Sequence, residues 1–183
     1  MGLPPNRAQD HCIPLQPRSQ PVCSKPYRYL HYQKAKIERL MAELLSTGVI
    51  CHSNSPFSSP VVLVKKQDDT WWMCVDYRSL NHITIKDKFP IPIIDELLNE
   101  LHGAKFFSKL YLRSRYHQDR VQASDIHKTA FRTHHDHFEF LVKPFRLTNN
   151  PSIFQALMNK VFKEQLCKYV LVFFDDILVY STT

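Results

Sequence analysis

The sequence predicts an α+β fold, and three observations carry that expectation. Apolar residues recur at helical spacing in three segments, and β-branched and aromatic runs of strand length lie between them. Their order is helix, hairpin, helix, then several strands around one long helix, without the strict alternation that a doubly wound parallel sheet requires. With 183 residues, 44% of them apolar, the chain can bury the core of one globular domain with an extension.

Residues 1–26 are rich in Pro, Arg, Gln and Ser and carry no hydrophobic period. They are expected to form an extended linker or arm ahead of a folded body spanning 27–183. Between residues 32 and 47, Ile37, Leu40, Met41, Leu44 and Leu45 fall on one helical face, and Gly48 supplies the stop. The next stretch, VICHSNSPFSSP, is punctuated by Ser and Pro as a loop; residues 61–64 then form a β-branched run ending in Lys65 and Lys66. Polar residues 67–70 turn the chain into WWMCVDY, so the two runs predict a hairpin. Pro90 and Pro92 precede Ile94, Leu97, Leu98 and Leu101, a short helix closed by Gly103, and a strand over 105–110 follows. Residues 129–133 and 138–142 are two further strand-like runs, separated by HHDH. Thr148 or Asn149 caps a last helix that Pro151 opens, with Ile153, Phe154, Leu157, Met158, Val161, Phe162 and Leu166 on its buried side. That helix leads into YVLVFFDDILVY, a strand, turn and strand.

A formal charge of +7 and a pI near 9.2 commonly accompany a polyanionic partner, although a soluble basic protein has the same balance. Five scattered cysteines, odd in number and without a CxxC pair, are simplest as reduced thiols of an intracellular protein with no disulfide partner. The longest apolar runs, such as residues 169–174, fall far short of the roughly 20 residues that a spanning helix needs, so no membrane partner is expected. The N-terminal residues lack the apolar stretch of a secretory signal, which leaves the localisation unassigned.

Asp175 and Asp176, taken alone, are two polar residues at a hairpin turn. The alternative is functional: a tight turn at the end of a rigid sheet presents hard carboxylate oxygens that suit Mg²⁺. The rest of the chain separates the two readings. LPPNRAQDH, SPFSSPVVLVKK, MCVDYRSLN, KDKFPIPIIDELL, DIHKTAFRT, LTNNPSIFQALMN and VLVFFDDILVYS, in this order, resemble the reverse-transcriptase region of gypsy-type LTR retrotransposon Pol polyproteins, especially the plant lineages.

The resemblance covers nearly the whole chain and implies the fingers and partial palm of a right-hand polymerase, truncated after the aspartate hairpin. The thumb, RNase H and integrase regions of such polyproteins have no counterpart in these residues. It implies an RNA-directed DNA polymerase that takes an RNA template, a DNA primer, deoxynucleoside triphosphates and two Mg²⁺ ions. Elements of this kind work in cytoplasmic particles, and an organelle-encoded fragment is the alternative setting. By the same resemblance Asp175 and Asp176 are catalytic and metal-binding. One of Lys65 and Lys66 holds the triphosphate, Tyr116 lies beneath the sugar, and Phe145 faces the nucleotide and template.

The chain departs from this pattern at several positions. The third carboxylate belongs in FSKLYLRSRYHQ, and Tyr111 occupies its place. Trp72 stands for an arginine that would grip phosphate, Arg115 and Arg146 for glycines, and Asp119 for an apolar strand residue. Asp69 and Asp136 stand for turn glycines, and Asn150 for a small residue. Two metal ions about 3.5–4 Å apart need carboxylates converging from separate strands. A phenol offers one oxygen and ionises only near pH ~10. The expectation is a catalytically defective polymerase homologue, with a non-catalytic nucleic-acid-binding remnant or an inert fragment as alternatives.

Two other clusters have plainer explanations. His134, His135, Asp136 and His137 offer zinc-type donors, but alternate positions of a strand face opposite ways, and the matching family segment is a polar turn. The cations Lys34, Lys36, Arg39, Lys86, Lys88, Lys105, Lys109 and Arg113 either line a template groove or are solvated faces of helices and loops.

Overall fold

The computed structural model describes residues 3–5, 10–65, 67, 71–90, 92–110, 119–174 and 176–182. Lys66, Tyr111, Tyr116 and Asp175, with Asp69, Arg113 and Arg115, lie outside the described residues. The chain divides into two units, one built from Met1–Ile85 and Tyr116–Thr148, the other from Lys86–Arg115 and Asn149–Thr183.

The first unit forms around helix α1 (His31–Ser46), whose Ile37 and Met41 are buried where the sequence spacing sets one apolar face. Gly48 ends the helix with φ +71°, a conformation that a Cβ would penalise. A five-stranded sheet follows in the order β1-β6-β5-β2-β3. Its strands are β1 (Ile50–His52), β2 (Ser59–Lys65), β3 (Trp71–Val75), β5 (Phe131–Arg132) and β6 (His137–Phe140). All neighbours are antiparallel except β2 with β5, where Ser59 lies opposite Phe131. The expected hairpin is β2–β3, with Val61 opposite Val75. Helix α2 (Arg78–Ile83) buries only Leu80. The core gathers Ile13, Ile37, Ile50, Val61, Tyr77, Phe131, Phe138, Phe140 and Val142. Tyr77 is fully buried there, and its hydroxyl donates to the carbonyl of Thr129 at 2.7 Å.

Four sequence expectations change in this unit. Residues 10–26 carry no helix or named strand, but they are not an arm outside the fold. His11 and Ile13 are 1% exposed, and the segment pairs by backbone bridges with Val121, Thr84 and Ser58. Extended chain satisfies its amides on neighbouring strands whether or not its composition is apolar. The stretch after α1, expected as loop, contains β1, whose partner β6 lies far along the chain. Asp119 does point inward, with its side chain 7% exposed, but the fully buried Lys143 ammonium donates to its Oδ2 at 2.6 Å. The cost of burying a carboxylate is thereby offset by an ion pair. His134 and His135 lie in a bend between β5 and β6, so the rule of alternating strand faces does not apply to them.

The second unit consists of α3 (Ile94–Glu100), β4 (Phe106–Leu110), α4 (Asn150–Val161), β7 (Val170–Phe173) and β8 (Asp176–Ser181). Its antiparallel sheet runs β4-β8-β7. Phe154 and Met158 of α4 pack on Val170, Val172 and Ile177. The buried side of α4 is narrower and more polar than its apolar spacing suggests: Val161 is exposed, whereas Ser152 and Gln155 are buried. Among the described residues, no helix is long and apolar enough to cross a membrane.

Candidate functional site

In the second unit the aspartate hairpin is tight. Phe173 is opposite Asp176 and Val172 opposite Ile177, which leaves two residues for the turn. Two-residue hairpin turns demand left-handed backbone, and Phe174 has φ +49°. A bulky residue resists that conformation, so the turn needs support from outside the hairpin. Gln155 supplies it from α4. Its Oε1 accepts from the Phe174 backbone N–H at 2.8 Å, and its Nε2 donates to the Val172 carbonyl at 3.0 Å. Sequence reasoning placed only apolar residues on this side of α4; the run FQALMN gives no periodic signal for a buried amide.

Asp176 opens β8 with an exposed side chain, and the Lys109 ammonium of β4 donates to its Oδ1 at 2.8 Å. Pairing β4 to β8, with Leu110 opposite Ile177, brings the two strands side by side. Tyr111 comes next in the chain after Leu110, the last residue of β4. A metal centre of the expected kind needs several carboxylates facing one point. The described part of the hairpin offers one, Asp176, which is ion-paired to Lys109. Among the described residues these donors do not make up a two-metal centre.

In the first unit Lys65 ends β2, exposed and opposite Trp71. Phe145 is half-buried, and its ring meets Trp72 edge to face at 5.6 Å and 88°. The position expected to hold a phosphate-binding cation therefore makes an aromatic contact instead. Arg146, standing where a glycine was expected, has φ +70°. A residue with a Cβ held in this left-handed region costs about 1–2 kcal/mol, and the surrounding contacts must hold it there. Asn81 is one such contact: its Nδ2 donates to the Arg146 carbonyl at 2.7 Å, and its Oδ1 accepts from the Thr148 N–H at 2.9 Å. Cys74, buried in β3, has its thiol pushed up by burial, with the Arg146 charge acting the other way.

A cleft of about 540 Å³ opens beside this loop, lined by Tyr27, Tyr29, Val61, Asp76, Arg78 and Arg146 among others. Arg78 grips Asp76 through Nε at 2.9 Å and Nη2 at 2.7 Å, and the Tyr27 hydroxyl donates to the same carboxylate at 2.8 Å. Hydrogen bonding from Arg78, helped by Tyr27, holds the Asp76 carboxyl down to about 2 against the opposing effect of burial. The cleft is thus walled by phenols and guanidinium edges. Of the expected basic groove, Lys109 and Arg39 are engaged by Asp176 and Glu43.

A family model described as "Reverse transcriptase (RNA-dependent DNA polymerase)" matches residues 64–183. The chain is 38% identical over 170 residues to the retrovirus-related Pol polyprotein from transposon 297 of Drosophila melanogaster, covering 90% of this chain and 16% of that protein. It is 37% identical over 169 residues to the corresponding polyprotein from transposon gypsy of the same organism, with 89% and 16% covered. It is 35% identical over 159 residues to the transposon Tf2-3 polyprotein of Schizosaccharomyces pombe, with 85% and 12% covered. The chain thus spans about one sixth of the first of these relatives. Among solved structures, the foamy viral protease-reverse transcriptase in complex with RNA/DNA hybrid superposes with a TM-score of 0.80 at 23% identity, covering 91% of this chain and 22% of that one. The native prototype foamy virus protease-reverse transcriptase gives 0.81 at 24%, with 93% and 23% covered.

Proposed function

Because the chain belongs to the reverse transcriptase (RNA-dependent DNA polymerase) family, we propose that it is a fingers and partial-palm segment that binds nucleic acid without catalysing its synthesis. Its partners are an RNA template and a DNA primer, held mainly through phosphate charge. Support for such partners comes from the solved relatives bound to an RNA/DNA hybrid and to double-stranded DNA, and from the chain's net charge of +7. On this reading Lys65 or Lys66 faces a triphosphate, Phe145 and Tyr116 face the base and sugar of a deoxynucleoside triphosphate, and Asp175 and Asp176 are what remains of a Mg²⁺ centre.

One observation carries the proposed loss of chemistry: the Asp176 carboxylate is paired to Lys109 of β4 at 2.8 Å, and Tyr111, next in the chain after β4, stands where the resemblance expects the third carboxylate. Polymerase chemistry requires metal ions that stabilise both the attacking 3′ oxygen and the leaving phosphate, and this donor set lacks the ligands to hold them. If the missing ligand withdraws only ~5 kcal/mol from the transition state, the rate falls roughly several-thousand-fold. Trp72, where the resemblance expects a phosphate-gripping arginine, brings no cation to the nucleotide side and meets Phe145 instead.

Primer extension with Mg²⁺ and with Mn²⁺ tests the loss directly, run beside a Tyr111→Asp variant. Negligible synthesis by the unmodified chain is expected, and robust extension overturns the reading. Fluorescence anisotropy with a labelled hybrid tests the binding. Affinity is expected to fall steeply as salt rises; absence of any salt-sensitive binding leaves only the inert alternative.

A further inference from the structure

Glu38 of α1 and the two adjacent histidines of the β5–β6 bend converge on one point. Glu38 Oε1 lies 3.0 Å from His134 Nε2 and 3.3 Å from His135 Nε2. The three donor atoms all fall within 4.8 Å of one another, and the imidazole centroids are 4.2 Å apart. We propose that Glu38, His134 and His135 form a binding site for a divalent transition-metal ion of the zinc class. The inference is independent of the polymerase reading, since none of these residues belongs to the positions assigned to nucleotide or to the aspartate hairpin.

The donor chemistry selects the ion. Two neutral imidazoles and one carboxylate are the borderline ligands that suit Zn²⁺, whereas Mg²⁺ and Ca²⁺ favour all-oxygen sets. Tetrahedral zinc with bonds of about 2.0–2.1 Å places neighbouring ligand atoms roughly 3.3 Å apart, which the two carboxylate-to-imidazole separations approach without rearrangement of the backbone. A carboxylate oxygen shared by two imidazole N–H groups produces similar distances with no ion, so the experiment must separate these two cases.

The surroundings favour a built site over a chance meeting of surface groups. His134 keeps only 10% of its side chain exposed and meets the Tyr29 ring edge to face at 6.1 Å, so one ligand is fixed. The bend that carries both histidines is pinned by Thr133, whose Oγ1 accepts from the backbone N–H groups of His135 and Asp136. Glu38 follows Ile37, which is wholly buried, so its helix is anchored beneath it. On the other side His135 is 71% exposed and Glu38 54%, which lets a hydrated ion enter and leaves a fourth position for water. The ion would join α1 to a turn lying 96 residues further along the chain, and binding to the folded state alone would raise its stability.

The test uses the full chain, stripped with a chelator and titrated with Zn²⁺ by calorimetry and with Co²⁺ by visible absorption. One saturable equivalent is expected, with a higher Tm and the intense d–d bands of tetrahedral Co²⁺. Glu38→Gln and His135→Ala, both at exposed side chains, should each weaken binding by roughly tenfold or more while leaving the chelator-treated Tm near that of the unmodified chain. Absence of saturable binding overturns the proposal. So does binding that survives both substitutions, which would assign the ion to other histidines.

Discussion

Asp119 and Lys143 show how much a single partner changes the meaning of a residue. Read alone, an aspartate at an apolar strand position is a defect; beside a fully buried lysine at 2.6 Å it is half of an ion pair. Twenty-four positions separate the two, with no periodicity linking them, so the sequence carries no sign of the pairing. Breaking the pair should cost more than removing it. Lys143→Met is expected to lower unfolding stability by about 3–5 kcal/mol, and Lys143→Met with Asp119→Leu to recover most of that loss. Denaturant titration of both variants checks this; a single-variant loss well below 1 kcal/mol (about the value of an exposed pair) would show that water reaches the site. Tyr111 rests, by contrast, on the resemblance alone, because the residue lies outside the described residues.

At the level of elements, long amphipathic pieces were readable and short or polar ones were not. The spacing of Ile37 and Met41 identifies α1, and the β-branched run 61–64 with WWMCVDY after a polar stretch identifies the β2–β3 hairpin. Strand β1 has three residues in a stretch punctuated by Ser and Pro, and only pairing with the distant β6 makes it a strand. Helix α2 buries one residue, too few to generate a period. Gln155 was hidden for a different reason: it occupies a core position to satisfy backbone groups of the aspartate hairpin, not to bury area. Gln155→Leu keeps the volume and removes the acceptor of the Phe174 N–H, so a destabilisation of about 1–3 kcal/mol is expected. Amide exchange at Phe174 should quicken in that variant by more than elsewhere in β7; uniform quickening would mean that Gln155 contributes packing alone.

For the molecule as a whole, the buried N-terminal segment sets the response to acid. Burial, reinforced by the Lys143 charge and opposed by Asp125, pushes the His11 imidazole from its ordinary value of 6.5 down to about 3. Between those values the unfolded chain binds a proton that the folded chain refuses. The contribution is therefore complete above about pH 6.5 and is lost progressively as pH falls toward 3. Urea unfolding at near-neutral pH and at pH ~5 should show a loss of about 2 kcal/mol from this group. A His11→Gln variant should show a correspondingly smaller loss; equal losses in both would remove His11 as the cause. The division of the chain into interleaved segments has a consequence for its synthesis. Ile50 needs Phe140 before β1 has its partner, and Ser59 needs Phe131 before the second edge of β2 is covered. At about 5–20 residues per second, ribosomes leave those strand edges open for several seconds while the first segment of the other unit emerges. During that interval the nascent chain is a template for neighbouring chains on the same message, and slowing initiation or supplying a chaperone that covers strand edges is the direct way to raise the yield of folded protein.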